Sequence, residues 1–378
     1  MLEFYKGKEK MNTIIRSIKW GLIVLASSAL IGCGGKDAAT PSASDSQKSV
    51  EKIKWKLVTS WPKNFPGLGR APETFAQYVN IMSNGRLEVT VYGAGELVPA
   101  FEVFDAVSAG SAQMGHAGAY YWKGKIPAAP IFSAIPFGMN ATEMNAWLHH
   151  GGGMELWQEL YAPFGVIPFA GGNTGVQMAG WFKKEINSVE DMRGLKMRIP
   201  GLGGEVLKEI GGLPITLSGG EIFTSLQSGA IDATEWVGPY NDLTFGLHKT
   251  ANYYYHSGWH EPGTLLEFIV NKEAFEALPK DLQKIVAVAT RAVNQDMLDE
   301  YTARNHMAMQ QIIDEHGITV LPLPQDVLVA LKAATKTVLQ KEVLDNAEFA
   351  KIYASYTQFY AGVKRYHELS EKAYYQNR

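Results

Sequence analysis

The chain has 378 residues, 46% of them hydrophobic and 19% charged, with a formal charge of −3. That length predicts two lobes with real cores, and it excludes a disulfide-stapled miniprotein, a collagen-like repeat and a disordered chain. The single cysteine excludes an intrachain disulfide and a thiolate metal cluster, and the near-neutral charge argues against a nucleic-acid partner.

The first segment reads as an address. Arg16 and Lys19 precede an uncharged run of 12 residues from Trp20 to Ile31, followed by Gly32 and Cys33. This is the plan of a secretory signal peptide, residues 1–32, and the run is shorter than the ~20 residues a spanning helix needs. Leu30-Ile31-Gly32-Cys33 looks like a bacterial lipobox, which implies lipidation of Cys33, and the small polar stretch Gly34 to Ser49 makes residues 33–52 a flexible tether. The expected location is periplasmic or extracytoplasmic, with the lipid as the only membrane attachment. Removal of residues 1–32 leaves 30 basic against 36 acidic residues, a charge of −6. So acidic a chain binds a small anion only through a cation placed locally for it.

From Ile53 the pattern alternates strands and helices, as in α/β lobes. Lys54 to Ser60, Leu87 to Tyr92 and Gln113 to Ala117 read as strands, with helical periodicity over Pro72 to Asn84 and Ala100 to Ala109. Pro127, Pro130 and Pro136 argue against a continuous helix there. A helix is predicted from Thr142 to Tyr161, broken by the His-His-Gly-Gly-Gly string at 149–153. Without a Gly-x-Ser-x-Gly elbow anywhere in the chain, that string reads as a helix break or tight packing, not an oxyanion hole. A second set of strands follows at Val166 to Ala170, Gln177 to Phe182, Lys196 to Ile199 and Pro214 to Leu217. Leu265 to Asn271 returns to the first lobe, and the last ~100 residues are helical, with a long amphipathic stretch from Lys280 to His316. The expected boundaries are lobe I at 53–175 with a returning segment near 263–302, lobe II at 176–262 with 303–324, and C-terminal helices at 325–378.

Signatures of catalysis are missing. Gly201-Leu-Gly203 is followed by Val206 where a third nucleotide-binding glycine would fall, and there is no phosphate loop and no His-Glu-x-x-His. Two residues stand out. Arg198 ends a short strand before Pro200 and a glycine-rich corner, where α/β folds open on a cleft; its guanidinium fork matches a carboxylate. Local sequence leaves it open between that clamp and a surface cation beside Lys196 and Arg193. Glu235, between an apparent strand start and Trp236-Val-Gly238-Pro239, is oddly placed for a solvated acid, although the local sequence alone favours a capped or exposed glutamate.

Four segments together, Gly95 to His116, Asp191 to Pro200 (DMRGLKMRIP), Glu221 to Trp236 and Asn271 to Val286, resemble the solute-binding proteins of tripartite ATP-independent periplasmic (TRAP) transporters. The likeness spans about residues 53 to 340. It implies a two-lobed periplasmic-binding-protein-like α/β fold with a ligand cleft between the lobes and a helical C-terminal extension, no enzymatic activity, and a membrane permease as partner. It makes Arg198 the clamp for the ligand's carboxylate. The sequence is most similar to the branch that binds 2-oxo acids such as pyruvate, or lactate-like hydroxy acids, with a metal ion. Members that bind sialic acid or dicarboxylates carry a second arginine where this chain has Gln177. The resemblance implies that Gln177, Glu235, the Trp236 carbonyl and Glu261 hold one Na⁺ or Ca²⁺, that Asn173, Tyr121 and Glu261 contact ligand, and that the helices after Gln325 form a homodimer. Trp61, by its place after the first strand, joins Tyr121 and Trp236 as an aromatic wall that excludes water. The chemistry of the residues agrees, since a buried Glu235 beside a bound carboxylate needs a cation between them, and all-oxygen ligands suit Na⁺ or Ca²⁺. A receptor for another organic anion in an ATP-driven system, a secreted metal-dependent enzyme of oxo acids, and a lipoprotein scaffold are the rival readings.

Overall fold

Strands β1 (Ile53–Thr59), β2 (Leu87–Tyr92) and β3 (Met114–Ala117) pair in parallel, and each is followed by helix or turn segments that return the chain to the same edge. The interior strand β3 is buried throughout, whereas β2 at the sheet edge keeps a polar alternation. The computed structural model describes residues 52–378, which belong to one compact unit; the expected signal peptide, Cys33 and the tether up to residue 51 lie outside the described residues. Among the described residues no helix is long and apolar enough to cross a membrane.

The remaining strands are β4 (Val166–Asn173), β5 (Gly180–Phe182), β6 (Lys196–Arg198), β7 (Leu213–Ile215), β8 (Ala233–Thr234), β9 (Tyr253–His256), β10 (Leu265–Asn271) and β11 (Thr319–Pro322). They build two sheets, of order β2-β1-β3-β10-β4 and β11-β9-β5-β8-β6-β7. Strand β10 lies antiparallel between β3 and β4, so a segment late in the chain completes the first sheet. The run Leu265 to Val270, apolar except for Glu267, fits that interior position: all six side chains are buried.

The prolines at 127, 130 and 136 leave only short turns of 3₁₀ helix around them. The predicted helix around residues 142–161 is two helices, Ala141–His150 and Gly153–Tyr161, divided at Gly151 and Gly152. Strands β9 and β11, which carry no clear apolar alternation, are additions to the predicted set; they pair with each other in parallel.

Three segments connect the sheets. Residues 174–179 lead from β4 to β5, residues 257–264 lead back from β9 to β10, and helix Lys280–Asp314 then runs to β11. At 1.5 Å per residue its 35 residues extend about 52 Å, long enough to pack on β4 of the first sheet and on helix Pro239–Phe245 beside the second. The two crossing segments are hydrogen-bonded to each other, Thr174 N–H to the Thr264 carbonyl at 3.0 Å and Gln177 N–H to the Glu261 carbonyl at 3.3 Å. Two glycines permit close approaches here, Gly258 between the crossing segments and Gly172 between β4 and the long helix. A Cβ on Gly172, whose φ is +146°, would fall 2.4 Å from Met297 Sδ, and one on Gly258 would fall 2.1 Å from the Gln177 carbonyl oxygen. Of the C-terminal helices, Gln325–Asp345 packs on helix Gly201–Glu209 of the second lobe and Ala347–Leu369 packs on Gly153–Tyr161 of the first.

Candidate functional site

The ends of β6 and β8 bring Arg198 and Glu235 together, because those two strands are parallel neighbours with Arg198 opposite Thr234. Both side chains are 1% exposed. Arg198 Nη1 touches Glu235 Oε1, its Nε donates to the Leu217 carbonyl at 3.1 Å, and its Nη2 donates to the Tyr121 hydroxyl at 3.3 Å. The guanidinium also lies 5.0 Å from the centre of the Trp236 ring, a cation–π contact. A buried guanidinium with only one carboxylate contact keeps capacity for a second anion.

The crossing segments supply the opposite side. Gln177 Nε2 donates to Glu261 Oε2 at 2.8 Å, to Thr264 Oγ1 at 3.0 Å and to Thr174 Oγ1 at 3.2 Å, while Thr264 Oγ1 donates to the same Glu261 oxygen. Those bonds orient the amide so that Gln177 Oε1 has no partner, although it is buried. Glu235 Oε2 is buried and unpartnered too, with His260 Nε2 3.4 Å away and no hydrogen bond between them. Burial, with the nearby Glu235 charge second, pushes the Glu261 carboxyl up to about 7. Orphaned buried acceptors are rare in folded proteins, and two in one site, both oxygens, fit a hard cation. Among the described residues no three His, Cys, Asp or Glu side chains gather into a cage for a transition metal.

Aromatic rings close the site. Trp61 meets Trp236 edge to face at 6.1 Å between centres and Tyr121 at 6.0 Å. Trp61 is held in turn by its indole N–H, which donates to His116 Nδ1 at 2.9 Å, while His116 Nε2 donates to the Gly171 carbonyl at 2.8 Å. Burial holds this imidazole down at about 4, so it stays neutral with the proton on Nε2. Asn173 sits at the root of the first crossing, where its amide donates to the Gly263 carbonyl at 3.2 Å and its carbonyl accepts the Gly175 N–H at 2.9 Å. The structure thus brings Arg198, Glu235, Trp236, Tyr121 and Trp61 into one cluster and Gln177 and Glu261 into the adjoining ribbon, with Asn173 tying the ribbon's base.

Sequence reasoning missed three residues here. His260 faces Glu235 with both ring nitrogens buried and unpartnered; its adjacency to Glu261 was its signal. Thr264 fixes both Gln177 and Glu261. Asp242 lies behind the site, accepting the Trp181 indole at 3.0 Å, the Tyr254 hydroxyl at 2.7 Å and the backbone N–H groups of Val237 and Gly238, and so anchors the loop that follows Trp236. It lies in the first turn of helix Pro239–Phe245 and is 1% exposed.

Residues 57–346 match the DctP family, described as bacterial extracellular solute-binding protein, family 7. A monocarboxylate 2-oxoacid-binding periplasmic protein of Nostoc sp. is 41% identical over 369 residues, 98% of each chain. A TRAP periplasmic solute-binding protein of Colwellia psychrerythraea, solved with bound calcium and pyruvate, is 44% identical with a TM-score of 0.85, covering 87% of this chain and 100% of that one. Another from Pseudoalteromonas atlantica, solved with bound sodium and pyruvate, is 42% identical with the same TM-score and coverage.

Proposed function

We propose that this chain, which belongs to the bacterial extracellular solute-binding protein family 7 and is a TRAP transport component rather than an enzyme, captures a 2-oxo monocarboxylate together with one Na⁺ or Ca²⁺ and delivers it to a membrane permease. The observation that carries this reading is the pair of buried, unpartnered oxygens, Gln177 Oε1 and Glu235 Oε2, beside the Arg198 fork. Arg198 and Glu235 cancel each other's charge, so a monoanion entering the cleft leaves a net negative site that a cation neutralises. Gln177, Glu235, the Trp236 carbonyl and Glu261 would hold the ion, which supplies positive charge between Glu235 and the ligand. Arg198 takes the ligand's carboxylate, and the 2-oxygen is the ligand's own contribution to the cation. Trp61, Tyr121 and Trp236 shut out water, which strengthens each of these attractions, and Asn173 is a further contact at the ribbon's base. The relatives with bound pyruvate and either calcium or sodium support this ligand class.

The division of labour is one of two lobes, 53–175 with 263–302 and 176–262 with 303–324, closing over the solute by a hinge. Cys33 carries a lipid that tethers the extracytoplasmic domain, and the C-terminal helices dimerise through apolar side chains such as Leu344, Tyr366 and Leu369, which are 84%, 66% and 79% exposed. Light scattering checks the dimer, and the mass of Cys33 peptides from membranes checks the lipid.

Calorimetry on residues 52–378 tests the central reading, with pyruvate and succinate titrated before and after chelation and with Na⁺ or Ca²⁺ restored. Micromolar pyruvate binding, about −8 kcal/mol, that vanishes once chelation has removed Ca²⁺ and dialysis has removed Na⁺, and returns with the cation, is expected. Cation-independent binding of succinate in its place would overturn both the ligand class and the ion.

A further inference from the structure

The helix break at Gly151 and Gly152 has a neighbour that the cleft does not use. Between helix Gly153–Tyr161, strand β4 and helix Lys280–Asp314 lies a cavity of about 510 Å³, within the range that holds small organic molecules. Its walls are apolar where Met154, Phe169 and Val288 meet, and Val288 is 46% exposed, a large share for a branched aliphatic side chain. Lys284 and Arg291 also line it. Seven residues apart, they fall on one face of the helix about 10 Å from each other, and neither joins an ion pair among the described residues.

His149, from the His-His-Gly-Gly-Gly string, completes the lining. Its Nε2 is buried without a hydrogen-bond partner. Burial, then the charge of Arg291, holds the imidazole below its ordinary value, which places the guanidinium within electrostatic reach of the ring. No aspartate or glutamate lines the cavity. An apolar floor with two unpaired cations, an unfilled ring nitrogen and no carboxylate is complementary to a molecule with an apolar body and one anionic end.

We propose that this cavity is a second binding site, separate from the cleft, for a small amphipathic carboxylate of the medium-chain alkyl or aryl type. Arg291 and His149 receive the carboxylate, Lys284 adds long-range attraction, and Met154, Phe169 and Val288 cover the apolar body. At about 510 Å³ the cavity has the size of a small-molecule site, and it opens to solvent on the side of the exposed Lys284, Val288 and Arg291.

The test uses residues 52–378, titrated by calorimetry with octanoate, phenylacetate and the neutral octanamide, with and without saturating pyruvate and Ca²⁺. One carboxylate per chain is expected to bind whether or not pyruvate is present, octanamide about tenfold or more weaker than octanoate, and the Lys284→Ala/Arg291→Ala double variant to lose about tenfold or more in affinity. Both replaced side chains are exposed, so the variant should keep the parent melting temperature and pyruvate affinity, and His149→Gln provides an independent loss. The proposal falls if neither carboxylate binds below about 10 mM, if octanamide binds as well as octanoate, if the double variant binds unchanged, or if pyruvate displaces the probe. Binding of an acidic peptide in the absence of any carboxylate binding would likewise overturn it in favour of a protein-docking surface.

Discussion

Two buried glutamates, one in each half of the molecule, are equally hidden and differently finished. Glu267, in the middle of β10, is fully buried, and each of its oxygens has a donor: the Trp122 indole on one and the Tyr161 hydroxyl at 2.9 Å on the other. With no cation beside it, burial pushes it up to about 8, so it holds its proton at neutral pH. Glu235 is buried as deeply, yet one oxygen meets Arg198 and the other has no hydrogen-bond partner, with only His260 Nε2 near it at 3.4 Å. A buried carboxylate alone therefore marks no site; an unfilled acceptor beside a fixed cation does. Asp242 stands with Glu267, since four donors fill it and burial raises it to about 7.

That contrast can be broken at several points. The largest effect is expected at Arg198: Arg198→Lys keeps the charge but loses the fork, and pyruvate affinity measured by calorimetry at saturating Ca²⁺ should fall about a hundredfold, near 3 kcal/mol. Unchanged affinity would remove Arg198 as the clamp. Next comes Glu235→Gln, which leaves an amide oxygen for the ion but no charge; the cation concentration that half-restores pyruvate binding after chelation should rise about tenfold or more.

Glu267→Gln sharpens the comparison from the other side. Pyruvate affinity should stay within about twofold, while the pH profile of stability changes. The folded chain retains a proton on Glu267 up to about 8, whereas the unfolded chain releases it near about 4.3. Stability from this group is full below the lower value and is lost as pH rises toward the higher one. Denaturant midpoints measured from pH 5 to 8 should therefore fall in the parent and fall less in the variant, Asp242 and Glu261 supplying the rest. The smallest effect is expected at Trp61→Phe, which keeps an aromatic wall but removes the bond to His116; chemical denaturation should register about 1 kcal/mol, and the pyruvate affinity only a few-fold loss.

Legibility in the sequence followed the same division between local and assembled features. Strand β2 was read at its observed bounds because Leu87, Val89 and Val91 alternate with Glu88, Thr90 and Tyr92, and β10 because its apolar run has the length of a buried strand. Strand β9 was not, since Tyr253-Tyr254-Tyr255 has no alternation and becomes a strand only by pairing with β5 and β11. At the site, the fork of Arg198 and the odd setting of Glu235 were visible as chemistry, and family likeness assigned them roles. The direct contact between them was not visible, because it depends on the register of β6 against β8. Nor was the turn of the Gln177 amide, which Thr174, Glu261 and Thr264 impose from positions 3 to 87 residues away in the chain.

In the proposed hinge closure, the hydrogen-bonded crossing segments put Gln177 and Glu261 on the pivot. A solute held there sits where the lever arm is shortest, so its presence need change only a small local distance. Over half the length of the 35-residue helix, a turn of about 10° becomes a displacement of about 4–5 Å at the outer rim. On the proposed function, a permease that touches only those rims distinguishes a filled receptor from an empty one by the spacing of two surfaces.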